Sequence, residues 1–138
     1  MKLIIGGAYQ GKTAYVQTQL GIDMEYILKI EASQDMEASV TALCDATVDL
    51  KCVTQFHLLI RYAMERVWDI DDFVEKMLLA HPHIIIVMDE IGSGIIPLEK
   101  AEREYREQVG RTGCMLAERA NQVIRVICGI GTKLKDIE

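Results

Sequence analysis

Near the start of the chain, Gly6-Gly7-Ala8-Tyr9-Gln10-Gly11-Lys12-Thr13 follows a short apolar run. The pattern G-x-x-x-x-G-K-[ST] suits one chemistry, the holding of phosphate. Gly6 and Gly11 permit backbone angles that a β-carbon would forbid. The amides of Gly7, Ala8, Tyr9 and Gln10 are then free to converge on phosphate oxygens, and a helix beginning near Lys12 aims its positive end at the same place. Lys12 reaches the outer phosphates, as a binding and a catalytic group, and the Thr13 hydroxyl is an expected Mg²⁺ ligand. A strand before the loop and a helix after it separate this pattern from a chance glycine-rich turn.

A second constellation stands at Ile84-Ile85-Ile86-Val87-Met88-Asp89-Glu90. Its apolar run fits a parallel strand covered on both faces, and ligands of open α/β sheets gather at the carboxyl ends of such strands. Asp89 is expected to hold Mg²⁺ directly or through water, and Glu90 to act as a base or to order a water. The plain alternative is a solvated acid pair closing an apolar strand.

These residues need elements to position them. Leu3 to Ile5 predicts a buried strand, Lys12 to Leu20 a helix, Glu25 to Ile30 a strand and Ser33 to Cys44 a helix. Val48 to Val53 predicts a strand, Phe56 to Val67 and Ile70 to Ala80 two helices, and Ile84 to Met88 the clearest strand. Leu98 to Ala120 is expected as a long charged helix burying Leu116, Ala117 and Ala120, and Gln122 to Cys128 as a last strand ended by Gly129. Strands alternating with helices imply a mostly parallel sheet with helices on both faces, in a single domain over residues 1–138.

The chain has 138 residues, half of them hydrophobic, so its core needs no disulfide or structural metal. A formal net charge of -6 gives no broad basic field for a nucleic-acid backbone. No pair among Cys44, Cys52, Cys114 and Cys128 has CxxC spacing, which predicts reduced cysteines in a cytoplasmic protein. The first residues are too short an apolar run for a signal peptide, and the run from His83 to Met88 is too short to span a bilayer.

Beyond the two constellations, Glu-Ile-Gly-Ser-Gly-Ile-Ile-Pro spans residues 90–97, Tyr-Arg-Glu-Gln-Val-Gly-Arg-Thr-Gly-Cys-Met-Leu-Ala spans 105–117, and Val-Ile-Cys-Gly-Ile spans 126–130. With the glycine loop, these blocks resemble the adenosylcobinamide kinase / adenosylcobinamide-phosphate guanylyltransferase family of cobalamin biosynthesis. That family carries GG-x-x-x-GKS, an acidic strand end followed by V-G-x-G-I-V-P, a helix with F-R-x-x-x-G-R-x-N-Q-x-L-A, and a strand ending V-x-G-I. The resemblance is strong over the first fifteen residues and from Asp89 to Lys135, and thin between. It implies a P-loop NTPase-type α/β sheet. It also implies transfer of a terminal phosphoryl group from ATP or GTP, with Mg²⁺, to the aminopropanol hydroxyl of a cobinamide. Arg106 and Arg111 become possible substrate or phosphate contacts, with a solvated helix face as the alternative. Family members assemble from several subunits, so a homo-oligomer is expected, with the charged helix and the run from Phe56 to Ala63 as contact surfaces.

The family's guanylyl transfer uses a histidine within H-R-x-x-R-P-x-x-W after the second strand. Residues 31–49 contain no His, Arg or Trp, so that role is not carried over. Of the three histidines, His57 falls in an apolar helical run, while His81 and His83 flank Pro82 before a strand. Gly113-Cys114 replaces the family's Asn-Gln, and Leu28-Lys29-Ile30 its hydroxyl-rich loop. Three readings follow: a cobinamide kinase lacking the guanylyl transfer, a P-loop kinase with another acceptor, and a non-catalytic nucleotide-binding relative.

Overall fold

The computed structural model describes residues 1–32, 35–91 and 96–138. Among these residues, six strands form one sheet: β1 (Lys2–Gly6), β2 (Ile27–Lys29), β3 (Cys52–Thr54), β4 (Ile85–Asp89), β5 (Gln122–Ile127) and β6 (Ile130–Asp136). Their spatial order is β2-β3-β4-β1-β5-β6, and every neighbouring pair is parallel except β5 with β6.

Among the described residues, five α-helices cover it: α1 (Lys12–Thr18), α2 (Met36–Leu43), α3 (Phe56–Glu65), α4 (Ile70–Ala80) and α5 (Lys100–Arg119). The side chains of a strand alternate between faces, so the sheet has two cores. Ile4, Cys52, Ile85, Val87, Ile124 and Val126 meet Val16 of α1 on one face. Leu3, Val53, Ile86, Met88 and Val123 meet α2 to α5 on the other. This is the expected sheet with helices on both faces.

Local chemistry sets the helix limits. Asp35 caps α2, accepting from the backbone N–H groups of Glu37 and Ala38, and Asp69 caps α4 through Asp72. α3 buries Phe56, Leu59, Ile60 and Ala63, one face at helical spacing. The run from Phe56 to Ala63 is therefore core, which corrects its expected part as a subunit contact. On α5 the buried stripe contains Leu116 and extends back through Thr112, Val109 and Tyr105.

The strand expected from Val48 to Val53 is a second correction. Residues 45–50 form turns, in which the Asp45 carboxylate accepts from the Thr47 backbone and hydroxyl, and pairing begins only at Cys52. Likewise Met24–Tyr26 is a 3₁₀ turn ahead of β2. The helix predicted from Ser33 begins partly on residues outside those described, and Gly92-Ser93-Gly94-Ile95 of the Glu90 to Pro97 motif lies outside them as well. Finally, β5 is not the last strand. Cys128 and Gly129 take φ angles of 51° and 77°, giving a two-residue hairpin into β6.

Candidate active site

Parallel pairing of β1 with β4 brings the two constellations together. Gly6 stands opposite Asp89 in register, and the Glu90 N–H donates to the Gly6 carbonyl at 2.8 Å. The glycine loop leaves β1 at that point. A β-carbon on Gly6 would lie 2.4 Å from the Val126 carbonyl oxygen, so only glycine lets the loop cross β5 there. Gly11 has a φ of 85°, a left-handed angle that glycine takes without strain, and it precedes α1.

The loop is also tied to the hairpin turn. The Cys128 N–H donates to Gln10 Oε1 at 2.7 Å, and the Gly129 N–H donates to the Gln10 carbonyl at 2.8 Å. Gln10 thus anchors the loop that it was expected only to line. Tyr9 projects into solvent with a φ of 61°.

Lys12 is the buried charge of the site. Its Nζ donates to the carbonyls of Gly6 at 3.1 Å and Gly7 at 2.6 Å and pairs with Asp89 Oδ1 at 2.8 Å. All three ammonium protons therefore have acceptors.

The other side of Asp89 meets His57, a residue whose helical, apolar context gave no sign of the site. The Asp89 N–H donates to His57 Nδ1 at 3.1 Å, and Asp89 Oδ2 lies 3.5 Å from Nε2. A ring nitrogen that accepts carries no proton, so this contact places the proton of the neutral ring on Nε2, facing the carboxylate. Burial holds His57 below its ordinary pKa; Lys12 and Arg61 act in the same direction, against Asp89.

Lys12, Thr13 and Asp89 line one cavity of about 340 Å³ with Ala8, Tyr9, Gln10 and Gly11. Lys29, Thr54 and Gln55 complete its far wall. These last three stand at the carboxyl ends of β2 and β3, and their position on those strand ends was the available signal. The remaining expected residues fall elsewhere. Glu90 is held by Arg125 through two bonds, 2.7 Å from Nε and 3.1 Å from Nη2. It faces a separate cleft that Ile5, Met88, Val109 and Cys114 also line. Arg111 is exposed and pairs with Glu107 one turn back, and neither it nor Arg106 lines the loop cavity. Among the described residues no histidine lines that cavity: His81 is buried with Nε2 at 3.0 Å from the Ala42 carbonyl, and His83 is exposed.

A mostly parallel α/β sheet of the P-loop NTPase type, with an acidic strand end paired beside the glycine loop, is the class that fold and site define. Within that class, residues 25–134 match the family model described as cobinamide kinase / cobinamide phosphate guanyltransferase, and the chain belongs to this family. It is similar to the bifunctional adenosylcobalamin biosynthesis protein CobU of Salmonella typhimurium, 27% identical over 181 residues that cover 98% of this chain and 99% of the relative. The protein of the same name from Escherichia coli is 40% identical over 52 residues, 38% of this chain and 29% of the relative. The 181-residue span against a chain of 138 residues means that the Salmonella protein carries stretches lacking here. Among the described residues, no helix is long and apolar enough to cross a membrane.

Proposed function

We propose that the chain is a nucleoside triphosphate-dependent kinase whose acceptor is a cobinamide. The observation that carries the reading is the Lys12 ammonium held between two loop carbonyls and Asp89 in the cavity. The family and the relatives, which are named for cobinamide phosphorylation and adenosylcobalamin biosynthesis, supply the acceptor.

In this reading the loop amides take the phosphates, and Lys12 exchanges Asp89 for a phosphate oxygen. That exchange releases Asp89 Oδ1 toward a metal. Thr13 and Asp89 offer one hydroxyl and one carboxylate on the same cavity, hard oxygens that suit Mg²⁺, whose other ligands come from water and phosphate. When bound, Mg²⁺ supplies charge neutralisation. The acceptor oxygen forms a bond to the terminal phosphorus while the bond to the bridging oxygen breaks. The electron pair leaves with the nucleoside diphosphate, and the acceptor's proton passes to solvent. Such a transfer needs positioning and neutralised charge above all. Glu90, next in the chain to Asp89 and paired with Arg125, acts by position.

A guanylyl transfer through histidine finds no support in the site, since no histidine among the described residues lines the cavity and His57 already has both ring nitrogens against Asp89. Calorimetry tests the reading. Wild-type protein binds ATP or GTP with Mg²⁺ and Lys12→Ala binds it at least tenfold more weakly, because the charge facing the outer phosphates is gone. Equal affinities would overturn the reading.

A further inference from the structure

Thr54 is the one buried side chain among the described residues with a polar atom that lacks any hydrogen-bond partner. It is 2% exposed, and it belongs to the wall of the loop cavity. An unpartnered buried hydroxyl destabilises a fold, so its presence beside the proposed reaction centre asks for a ligand.

The sheet fixes the face on which this side chain lies. Lys29 and Thr54 are register partners on β2 and β3, two residues beyond the pair Ile27 and Cys52. Ile27 and Cys52 pack on the α1 side, and a two-residue step keeps the same face. Both side chains therefore lie on the face of the glycine loop, Thr54 as the covered floor and Lys29 as an exposed cation whose Nζ lies 3.3 Å from Glu31. The hydroxyl itself is covered, so the seating proposed below requires a turn about the Thr54 Cα–Cβ bond that brings it to the cavity. Asp89 is the only carboxylate on the cavity wall among the described residues, and Lys12 and Lys29 are its two cations.

Resting on the kinase reading above, we propose that Thr54 and Lys29 form the seat of the terminal phosphoryl group, on the side opposite Lys12. The hydroxyl donates to a phosphoryl oxygen, and the ammonium balances its charge. The cavity wall thus distinguishes a triphosphate from a diphosphate.

The test compares the calorimetric affinities of ATP and ADP, or of GTP and GDP, with Mg²⁺ in wild type, Thr54→Val and Thr54→Ser. Thr54→Val keeps the shape, removes an unsatisfied hydroxyl and melts no lower than wild type. It should leave diphosphate affinity unchanged and weaken triphosphate affinity by roughly ten- to a hundredfold, the worth of a hydrogen bond to a charged group. Thr54→Ser should restore the wild-type ratio, and Lys29→Ala should lower triphosphate affinity with a shallower dependence on salt. If Thr54→Val binds both nucleotides as wild type does, the seat is overturned while the kinase reading stands. If wild type itself binds no triphosphate, both fall together.

Discussion

Asp89→Asn separates the two duties assigned to this carboxylate, because it keeps the shape and removes the charge. In the structure Asp89 receives Lys12 at 2.8 Å, with side chains 24% and 9% exposed. Lys12 keeps its two carbonyl acceptors, and the amide oxygen of asparagine still accepts. The loss is therefore an ion pair reduced to a hydrogen bond between the ammonium and a neutral amide oxygen, about 1.5 kcal/mol, at the low end for hydrogen bonds to charged groups. With a urea slope of about 1–3 kcal/mol/M for a small domain, the unfolding midpoint should fall by roughly 0.5–1.5 M. Nucleotide affinity should move in two directions. Without a divalent ion, Lys12 no longer has to leave a carboxylate, so triphosphate binds as tightly as in wild type or more tightly. With Mg²⁺, the variant should gain less from the ion, since Asp89 no longer offers a charged oxygen. Urea unfolding followed by circular dichroism, paired with calorimetry in chelator and in Mg²⁺, reads both effects. An unchanged midpoint together with an unchanged Mg²⁺ gain would refute the exchange of partners.

Other perturbations follow from the same geometry. Gly6→Ala drives a β-carbon into the Val126 carbonyl at 2.4 Å and should cost about 1–3 kcal/mol in thermal or urea unfolding. Gly7→Ala, whose β-carbon comes no nearer than 3.7 Å to Gln10, should cost under about 1 kcal/mol, and equal losses would contradict the loop geometry. Glu90→Gln should leave nucleotide affinity unchanged and lower the transfer rate less than about tenfold, the mark of a positioning residue; a far larger loss of rate would make Glu90 the base. Burial pushes the Cys52 thiol up to about 12 from 9.0. Because the folded value is the higher one, the stability that Cys52 contributes is complete below the ordinary thiol range and is lost as pH rises through about 12. A thiol reagent at mildly alkaline pH should modify the exposed Cys44, Cys114 and Cys128 in the folded protein and Cys52 only after unfolding.

Much of this arrangement was legible because it rests on local pattern. The glycine loop, the apolar strand ending at Asp89 and the helical spacing of Phe56 to Ala63 each declare themselves within a few residues. What stayed hidden depends on pairing. Lys29 and Thr54 become neighbours only through the β2–β3 register, and His57 reaches Asp89 only because α3 packs under β4. Arg125 lay in an expected strand, yet nothing in the sequence shows that it closes on Glu90. β6 escaped notice because its turn is Cys128-Gly129, where the usual Asn-Gly signal is missing, and because its exposed, charged face lacks the apolar run of a central strand.

The central claim, phosphoryl transfer to a cobinamide at the glycine loop without a guanylyl-enzyme, is tested most directly with labelled nucleotide. Protein and Mg²⁺ are incubated with cobinamide and ATP or GTP carrying label in the γ-phosphate, and in parallel with GTP labelled in the α-phosphate. The account predicts that γ-label appears on cobinamide with wild type and not with Lys12→Ala, and that no α-label becomes fixed to the protein. It is contradicted if cobinamide stays unlabelled with both donors, or if α-label stays on the protein.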